Sequence, residues 1–170
     1  MAGVFSMMGP ESFGRLVDRH AAALVLYARQ WCASPEDIVQ DAFLKLYRSR
    51  VPPDNVVPWL YRVVRNASIS ASRSARRRTR HEHLAASRTP AWFVSSDEDV
   101  LDAQAAAAVL ERLPVEQREI IVARIWGGLT FEQIARVTGA STSSAHRSYV
   151  AGLRALRERL TCPQKWNNRS

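Results

Sequence analysis

Hydrophobic residues recur every three or four positions along most of this chain, which is the spacing of one face of an α-helix. In the first half, the pattern predicts helices over residues 11–31, 35–49 and 56–74, the last of which continues into a run of arginines. Tandem prolines, Pro52 and Pro53, separate the second helix from the third, because proline cannot occupy a helix interior. No segment alternates hydrophobic and polar residues as a half-buried strand would, so the pattern predicts helices only.

The periodicity lapses over residues 82–99, where small, polar and acidic side chains predominate, and we interpret this stretch as a linker. An apolar patch, Trp92-Phe93-Val94, interrupts it, and the sequence assigns no contact to that patch. The predicted fold class is therefore all-α, with two small helical domains, residues 10–81 and 100–161, joined by a flexible linker. The second domain is predicted to have four helices, the first two over residues 99–112 and 115–126, and a core of Ile121, Ile125, Ile134, Leu153 and Leu156.

The last two helices of the second domain have the pattern of a helix-turn-helix. Thr130 and Gln133 form a capping box that opens a short helix. Gly139 then permits a tight turn, and either Ser141 or Thr142 caps a longer helix. A motif of this kind places the amino-terminal part of its second helix in the major groove of DNA.

That second helix divides into a buried side and an exposed side. The buried side is predicted to contain Ala145, Tyr149, Gly152 or Leu153, Leu156 and Leu160. Arg147 lies off this side and is the first candidate for base reading, because arginine pairs bidentately with guanine. The predicted duplex-binding residues are Thr142, Ser143, Ser144, His146, Arg147 and Arg154, the last of which we expect to meet only the DNA backbone or solvent.

The third predicted helix interleaves aromatic and cationic residues. This combination is typical of binding to single-stranded nucleic acid, because bases stack on aromatic rings while the backbone follows the positive charge. The candidates for such binding are Trp59, Arg62, Arg65, Asn66, Arg73, Arg76 and Arg77. Trp59 is equally well interpreted as a core residue, and the pattern leaves both interpretations open.

The charge of the chain agrees with a nucleic-acid partner. The net charge is +8, and only Lys45 and Lys165 of the 24 basic residues are lysines. Arginine favours forked contacts to phosphate and guanine. The acidic residues are scattered at helix ends and faces, which argues against a nucleic-acid-processing enzyme. The sequence therefore predicts neither catalysis nor a cofactor.

Disulfide, metal and membrane features are also not predicted. Cys32 and Cys162 are far apart, and neither has a second cysteine nearby. His81 and His83 face different ways on a helix and have no further ligand cluster. No apolar stretch reaches the roughly 18 residues of a membrane span, and the first residues lack the pattern of a secretory signal. We therefore expect a cytoplasmic protein without membrane insertion.

Three segments, taken in order, resemble the extracytoplasmic-function class of bacterial sigma-70 family sigma factors. These are DIVQDAFLKLYR, then PWLYRVVRN with its arginine run, and, after a variable linker, the stretch from LERLPVEQ to GLRALRERL. The resemblance spans about residues 11–160. It implies that the first domain binds the β′ clamp helices of core RNA polymerase and captures the melted −10 element of promoter DNA. It also implies that the second domain reads the −35 element and touches the β flap.

The resemblance also assigns individual residues. It places polymerase binding on Asp37, Gln40, Asp41 and Phe43, and −10 recognition in the loop 50–57 and the helix that follows. Ser70 stands where an aspartate is common, Ser72 where an apolar residue is usual, and Ser144-Ala145-His146-Arg147-Ser148 where TVKSR is typical. The reading helix is thus recognisable, whereas the DNA sequence that it reads is not. An anti-sigma factor is a further implied partner, since such inhibitors are common for this class.

A free-standing helix-turn-helix regulator is the alternative function. Such a protein would bind a palindrome as a dimer. This alternative accounts for residues 129–160 but leaves the aromatic and arginine-rich segment 59–80 without a role.

Overall fold

The computed structural model describes residues 9–51, 53–81 and 110–161, and the helices in these ranges confirm the all-α prediction. No strand forms among the described residues. The helices are α1 (Pro10–Ala28), α2 (Pro35–Arg48), α3 (Val56–His81), α4 (Val115–Ile125), α5 (Phe131–Thr138) and α6 (Thr142–Thr161). The predicted linker, its Trp92-Phe93-Val94 patch and most of the predicted alanine-rich helix lie outside the described residues.

Two helix ends differ from the prediction by three residues or more. Helix α1 ends at Ala28, three residues earlier than the pattern indicated. Helix α3 continues through the arginine run to His81, beyond the predicted end at residue 74. Arginine and alanine are good helix formers, so the basic extension has no reason to leave the helix.

The first domain packs α1, α2 and α3 against one another. Tyr27, Leu46, Leu60 and Tyr61 are fully buried at their centre. Phe13 at the start of α1 meets the Phe43 ring of α2 edge to face, with the centroids 6.2 Å apart. This packing fixes which sides of α2 and α3 face outward.

The second domain packs α4 and α5 against α6 around Ile121 and Ile134, both fully buried. Ile125, which we expected in this core, is 51% exposed, because α4 ends there and Leu129 is buried instead at 1% exposure. For the buried side of α6, the sequence pattern left Gly152 and Leu153 as alternatives. Gly152 is the one that lies in the tightly packed position. A Cβ added to Gly152 would lie only 2.7 Å from Cδ1 of Ile121.

The two domains also pack against each other, which the sequence pattern did not predict. Helix α1 contacts α4, and α3 contacts α5, so that the buried residues form one continuous hydrophobic core. Gly127, just after α4, lies against the Tyr61 ring of α3, and a Cβ at this glycine would meet the Tyr61 hydroxyl at 2.6 Å. The described helices therefore form a closed arrangement of the two domains.

Candidate nucleic-acid interface

The helix-turn-helix forms through local hydrogen bonds that the sequence predicted. The Gln133 backbone N–H donates to Thr130 Oγ1 at 3.2 Å, and the Thr130 N–H donates to Gln133 Oε1 at 2.8 Å, which completes the capping box. Gly139 ends α5 in the left-handed region, at φ 78°. The Ser144 N–H then donates to Ser141 Oγ at 3.1 Å. Of the two candidate caps, Ser141 is therefore the residue that caps α6, which begins at Thr142.

Helix α6 turns one side into the core and leaves the other side open. Ala145 is fully buried, and Gly152 is buried two turns later. The opposite side exposes what we call the reading face: Thr142, Ser143, His146, Arg147, Val150 and Arg154. Ser144, also predicted to bind DNA, is only half-exposed at the edge of this face. Arg154 forms an ion pair with Glu158 at 3.0 Å, and both side chains are largely exposed.

Phe131, which the sequence analysis did not single out, supports the reading face from α5. Its ring lies edge to face against His146, with centroids 5.1 Å apart, and against Tyr149 at 5.5 Å. The Arg124 guanidinium stacks over the same ring at 5.0 Å and donates to the Leu129 carbonyl at 2.7 Å. Phe131 therefore links α4, α5 and the amino-terminal half of α6.

Helix α3 presents a second candidate surface. Residues at three- and four-residue spacing share one side of the helix and form what we call the basic stripe: Trp59, Arg62, Asn66, Ser70, Arg73 and Arg77. All of these except Trp59 are exposed, and Arg76 is exposed beside them. Trp59 is half-buried and packs against the core, so it has both a core-facing and a solvent-facing part.

Arg65 is placed differently from the other predicted residues of α3. Its Nε donates to Glu119 Oε1 of α4 at 2.5 Å, and the Tyr27 hydroxyl of α1 donates to the same oxygen at 2.5 Å. The Glu119 side chain is 5% exposed, and that of Arg65 is 23% exposed. In this arrangement the Arg65 guanidinium is directed to the second domain rather than to the basic stripe.

The pKa shifts of this cluster follow from burial and from the carboxylate. Burial, followed by the charge of Glu119, raises the pKa of Tyr27 well above its ordinary value, so the phenol remains a donor at neutral pH. Burial by itself would lower the pKa of Arg65, but its hydrogen bond to Glu119 and the charge of that carboxylate raise it overall. The cluster therefore contains a neutral phenol and a fully charged guanidinium.

Helix α2 exposes three of the four predicted polymerase-binding residues and buries the fourth. Asp37, Gln40 and Asp41 are exposed on one side, which we call the acidic face. Phe43 does not share this exposure, since it is 6% exposed and packs into the core. Its ring helps to line an apolar groove between α1 and α2, together with Phe13, Val17, Val39, Leu44 and Tyr47. Leu44 and Tyr47, which the sequence analysis did not single out, are 39% and 41% exposed there.

The described residues contain no group of three His, Cys, Asp or Glu side chains that could hold a metal ion. In the same part of the chain, no helix has the length and apolar content needed to cross a membrane.

Two family models match the chain in the order that the domains occur. The model for sigma-70 region 2 matches residues 16–78, and the model for sigma-70 region 4 matches residues 103–156. The RNA polymerase sigma factor CarQ of Myxococcus xanthus is 31% identical over 160 residues, which cover 88% of this chain and 90% of CarQ. The ECF RNA polymerase sigma factor SigL of Mycobacterium tuberculosis is 32% identical over 150 residues, which cover 84% of this chain and 85% of SigL.

Two solved structures have a similar fold. One is the sigma factor RpoE in complex with the anti-sigma factor NepR from Bartonella quintana, with a TM-score of 0.67 and 22% identity, covering 89% of this chain and 98% of RpoE. The other is CnrH in complex with the cytosolic domain of CnrY, with a TM-score of 0.58 and 25% identity, covering 89% of both chains.

The chain belongs to the sigma-70 family of RNA polymerase sigma factors. Within that family it is a member of the extracytoplasmic-function group, as its resemblance implied. Membership in this family does not favour the alternative of a free-standing helix-turn-helix regulator.

Proposed function

We propose that this chain is a promoter-specificity subunit in which residues 10–81 bind core polymerase and the −10 element, residues 82–99 link the domains, and residues 100–161 read the −35 element. The observation that carries the proposal is the presence, in one chain, of a capped recognition helix with an exposed reading face and a second helix with an exposed basic stripe. A regulator that reads duplex DNA alone needs only the first of these surfaces.

The reading face has the composition needed for duplex recognition. Arg147 lies near the amino end of α6, where a helix-turn-helix contacts base edges, and it would pair with guanine. His146 and the hydroxyl residues Thr142, Ser143 and Ser144 would contact neighbouring bases or phosphates. Arg154 lies two turns further along and would contact the DNA backbone, exchanging its exposed partner Glu158 for phosphate. Exposed pairs of this kind contribute only about 0.2–1 kcal/mol, so the exchange costs little.

The basic stripe has the composition needed for strand capture. The exposed part of Trp59 offers a surface for stacking, and Arg62 and Asn66 lie one and two turns along the same side. Arg73, Arg76 and Arg77 extend the positive charge toward the end of the helix, where they would follow phosphates. Stacking of a base on an aromatic ring contributes about 1–3 kcal/mol, which offsets much of the cost of unpairing that base.

The acidic face of α2 is the proposed contact with the β′ clamp helices of core polymerase, and the β flap is the proposed contact of the second domain. Asp37 and Asp41 would pair with basic residues of the clamp, while Leu44 and Tyr47 add apolar area at the edge of the same surface. Phe43 would contribute indirectly, because its buried ring packs beneath this surface and fixes the spacing of α1 and α2. The names of CarQ and SigL as RNA polymerase sigma factors support this assignment.

We further propose that the protein acts in the cytoplasm, has no catalytic activity of its own and requires no cofactor. An anti-sigma factor is a further proposed partner. It is supported by the two solved structures of similar fold, whose titles describe sigma factors bound to the anti-sigma factor NepR and to the cytosolic domain of CnrY.

Reconstituted transcription tests the proposal. Purified core polymerase should gain specific initiation on a promoter library when this chain is added, as measured by sequencing of the run-off transcripts.

Asp41→Lys should weaken holoenzyme assembly on size exclusion, because it reverses charge on the acidic face. Asp18→Lys makes the same charge change at an exposed position of α1 and is the matched control. Failure of the chain to associate with core polymerase at low salt would contradict the proposal. The free-standing regulator would be favoured if light scattering gave the mass of a dimer and the protein bound duplex DNA tightly without polymerase.

A further inference from the structure

Val150 is an apolar side chain on a surface that is otherwise polar. The rest of the reading face carries hydroxyl, imidazole and guanidinium groups, whereas Val150 is 50% exposed among them. Arg147 lies three positions before it and Arg154 four positions after it, so helical spacing places all three on one side of α6. Among the described residues of α6, Val150 is the one large hydrophobic side chain that is exposed.

The packing of the protein gives Val150 no role. Tyr149 and Leu156, the neighbouring large apolar side chains of α6, are partly buried against the core. Valine is also a weaker helix former than the alanine that follows it at position 151. An exposed valine is common on protein surfaces, but this one lies on the face that the helix-turn-helix presents to the DNA groove. Its remaining capacity is an apolar contact with whatever that face binds.

The surroundings of Val150 form a shallow groove with an apolar part. Val150, Ala151 and Ala155 supply that part, and Arg147 and Arg154 line the same groove. The two alanines are short beside the arginines, so a ligand can approach the helix closely at this point. The groove therefore combines an apolar contact with two positive charges, which suits the edge of a base in a polyanionic duplex.

Thymine is the base whose chemistry matches this contact. In the major groove, thymine is the base that carries a methyl group at C5, and adenine and cytosine instead present amino groups that need an acceptor. An aliphatic side chain has no acceptor, so Val150 against either amino group would leave a buried donor without a partner. Val150 therefore favours thymine by contact and disfavours the other bases by desolvation.

The spacing along α6 relates this contact to the one proposed for Arg147. Residues three positions apart on a helix have their Cβ atoms about 5–6 Å apart, and successive base pairs are about 3.4 Å apart. When the long side chain of Arg147 pairs with a guanine, the shorter side chain of Val150 lies over the neighbouring base pair.

We propose that Val150 is a specificity-determining residue that reads the C5 methyl group of a thymine in the base pair next to the guanine bound by Arg147. This inference rests on the proposed function, because it assumes that the reading face enters the major groove of the −35 element. Burial of one methyl group corresponds to about a fourfold change in affinity. The effect is therefore confined to one base position and is about fourfold.

Selection from two libraries of DNA duplexes tests the assignment. Both libraries have the same random central region, but one is synthesised with thymidine and the other with deoxyuridine, so that they differ only in the C5 methyl group. The full chain selects from each library, both alone at low salt and assembled on core polymerase. Polymerase without the chain gives the background, and sequencing of the bound duplexes gives the base preference at each position.

The wild type should select guanine beside thymine. In the deoxyuridine library the preference at the thymine position should fall about fourfold, while the preference for guanine stays. Val150→Ala should show the weaker preference in both libraries, because its side chain is too short to reach the methyl group. Val150→Ile keeps a branched apolar end and should retain the difference between the libraries, and Arg147→Ala should lose the guanine and keep that difference.

Ile125→Ala is the control outside the reading face. It truncates an apolar side chain of nearly equal exposure, 51%, at the end of α4, and it should select the same sequence as the wild type. Far-UV circular dichroism checks that each variant is folded.

An equal thymine preference in both libraries would overturn the assignment, as would a selected sequence that Val150→Ala leaves unchanged or the absence of any selected sequence. Specific initiation by polymerase without any effect of the methyl group would refute the assignment and leave the proposed function standing. Methyl-dependent selection by a chain that does not direct core polymerase to initiate would refute the proposed function and leave the assignment standing.

Discussion

Arg147 stands exposed near the amino end of α6, and the neighbouring His146 is held against the Phe131 ring. The exposed position of Arg147 could be predicted from the sequence, because helical periodicity alone places it opposite the buried Ala145. The support from Phe131 could not, because an aromatic residue directly after an N-cap has the pattern of any core residue. Single positions in a helix are therefore predictable from spacing, whereas ring contacts between helices require the turn geometry as well.

Arg147→Ala should remove preference for guanine at one position of the −35 element. The expected loss is about 1–3 kcal/mol, or roughly 5- to 150-fold in discrimination, because the bidentate pair is lost. Sequencing of transcripts from a library with randomised −35 elements measures it. Arg15→Ala, at an exposed position of α1, removes the same charge and should leave promoter choice as it is. Unchanged promoter choice by the Arg147 variant would contradict the assignment.

Among the elements, α5 and α6 were the most predictable, because their ends are fixed by residues next to them in the chain. The capping box of Thr130 and Gln133 and the left-handed Gly139 all lie within ten residues and all form as predicted. Helix α3 was less predictable at its carboxyl end, since nothing in the arginine run stops a helix. Ile125 was placed wrongly because periodicity does not show where a helix ends relative to its neighbours.

Ser141→Ala should destabilise α6 and with it the helix-turn-helix. The Ser144 N–H would lose its acceptor, at a cost of about 1 kcal/mol, which corresponds to about 2–4 °C in thermal midpoint for a chain of this size. Differential scanning fluorimetry measures the shift. Ser143→Ala, at an equally exposed position in the first turn of α6, is the control and should change stability by no more than about 0.5 kcal/mol. A midpoint for Ser141→Ala equal to that of the control would show that the cap contributes nothing.

For the molecule as a whole, the arrangement of the domains was beyond the sequence pattern. Two helical units and the break between them could be read from periodicity, and matches to family models cover both units. Their mutual packing could not be read, because the contacts of Glu119 join residues 54 and 92 positions apart and leave no local signal. A glutamate on a helix is ordinarily a solvent-exposed residue, and only its burial between domains gives it another role.

The continuous core has a thermodynamic consequence. Because Tyr61 of one domain and Gly127 of the other pack as tightly as neighbours within a domain, heat should melt both units in a single calorimetric endotherm. Glu119→Gln should lower the midpoint of that endotherm without splitting it, because the buried Arg65 guanidinium loses its charged partner while the apolar contacts between the domains remain. Two separate endotherms in the unaltered chain would mean that the units unfold independently. On the proposed function, any contact with polymerase that separates the two domains must also supply the free energy that this shared core contributes, so that part of the affinity for polymerase is spent on exposing buried apolar surface.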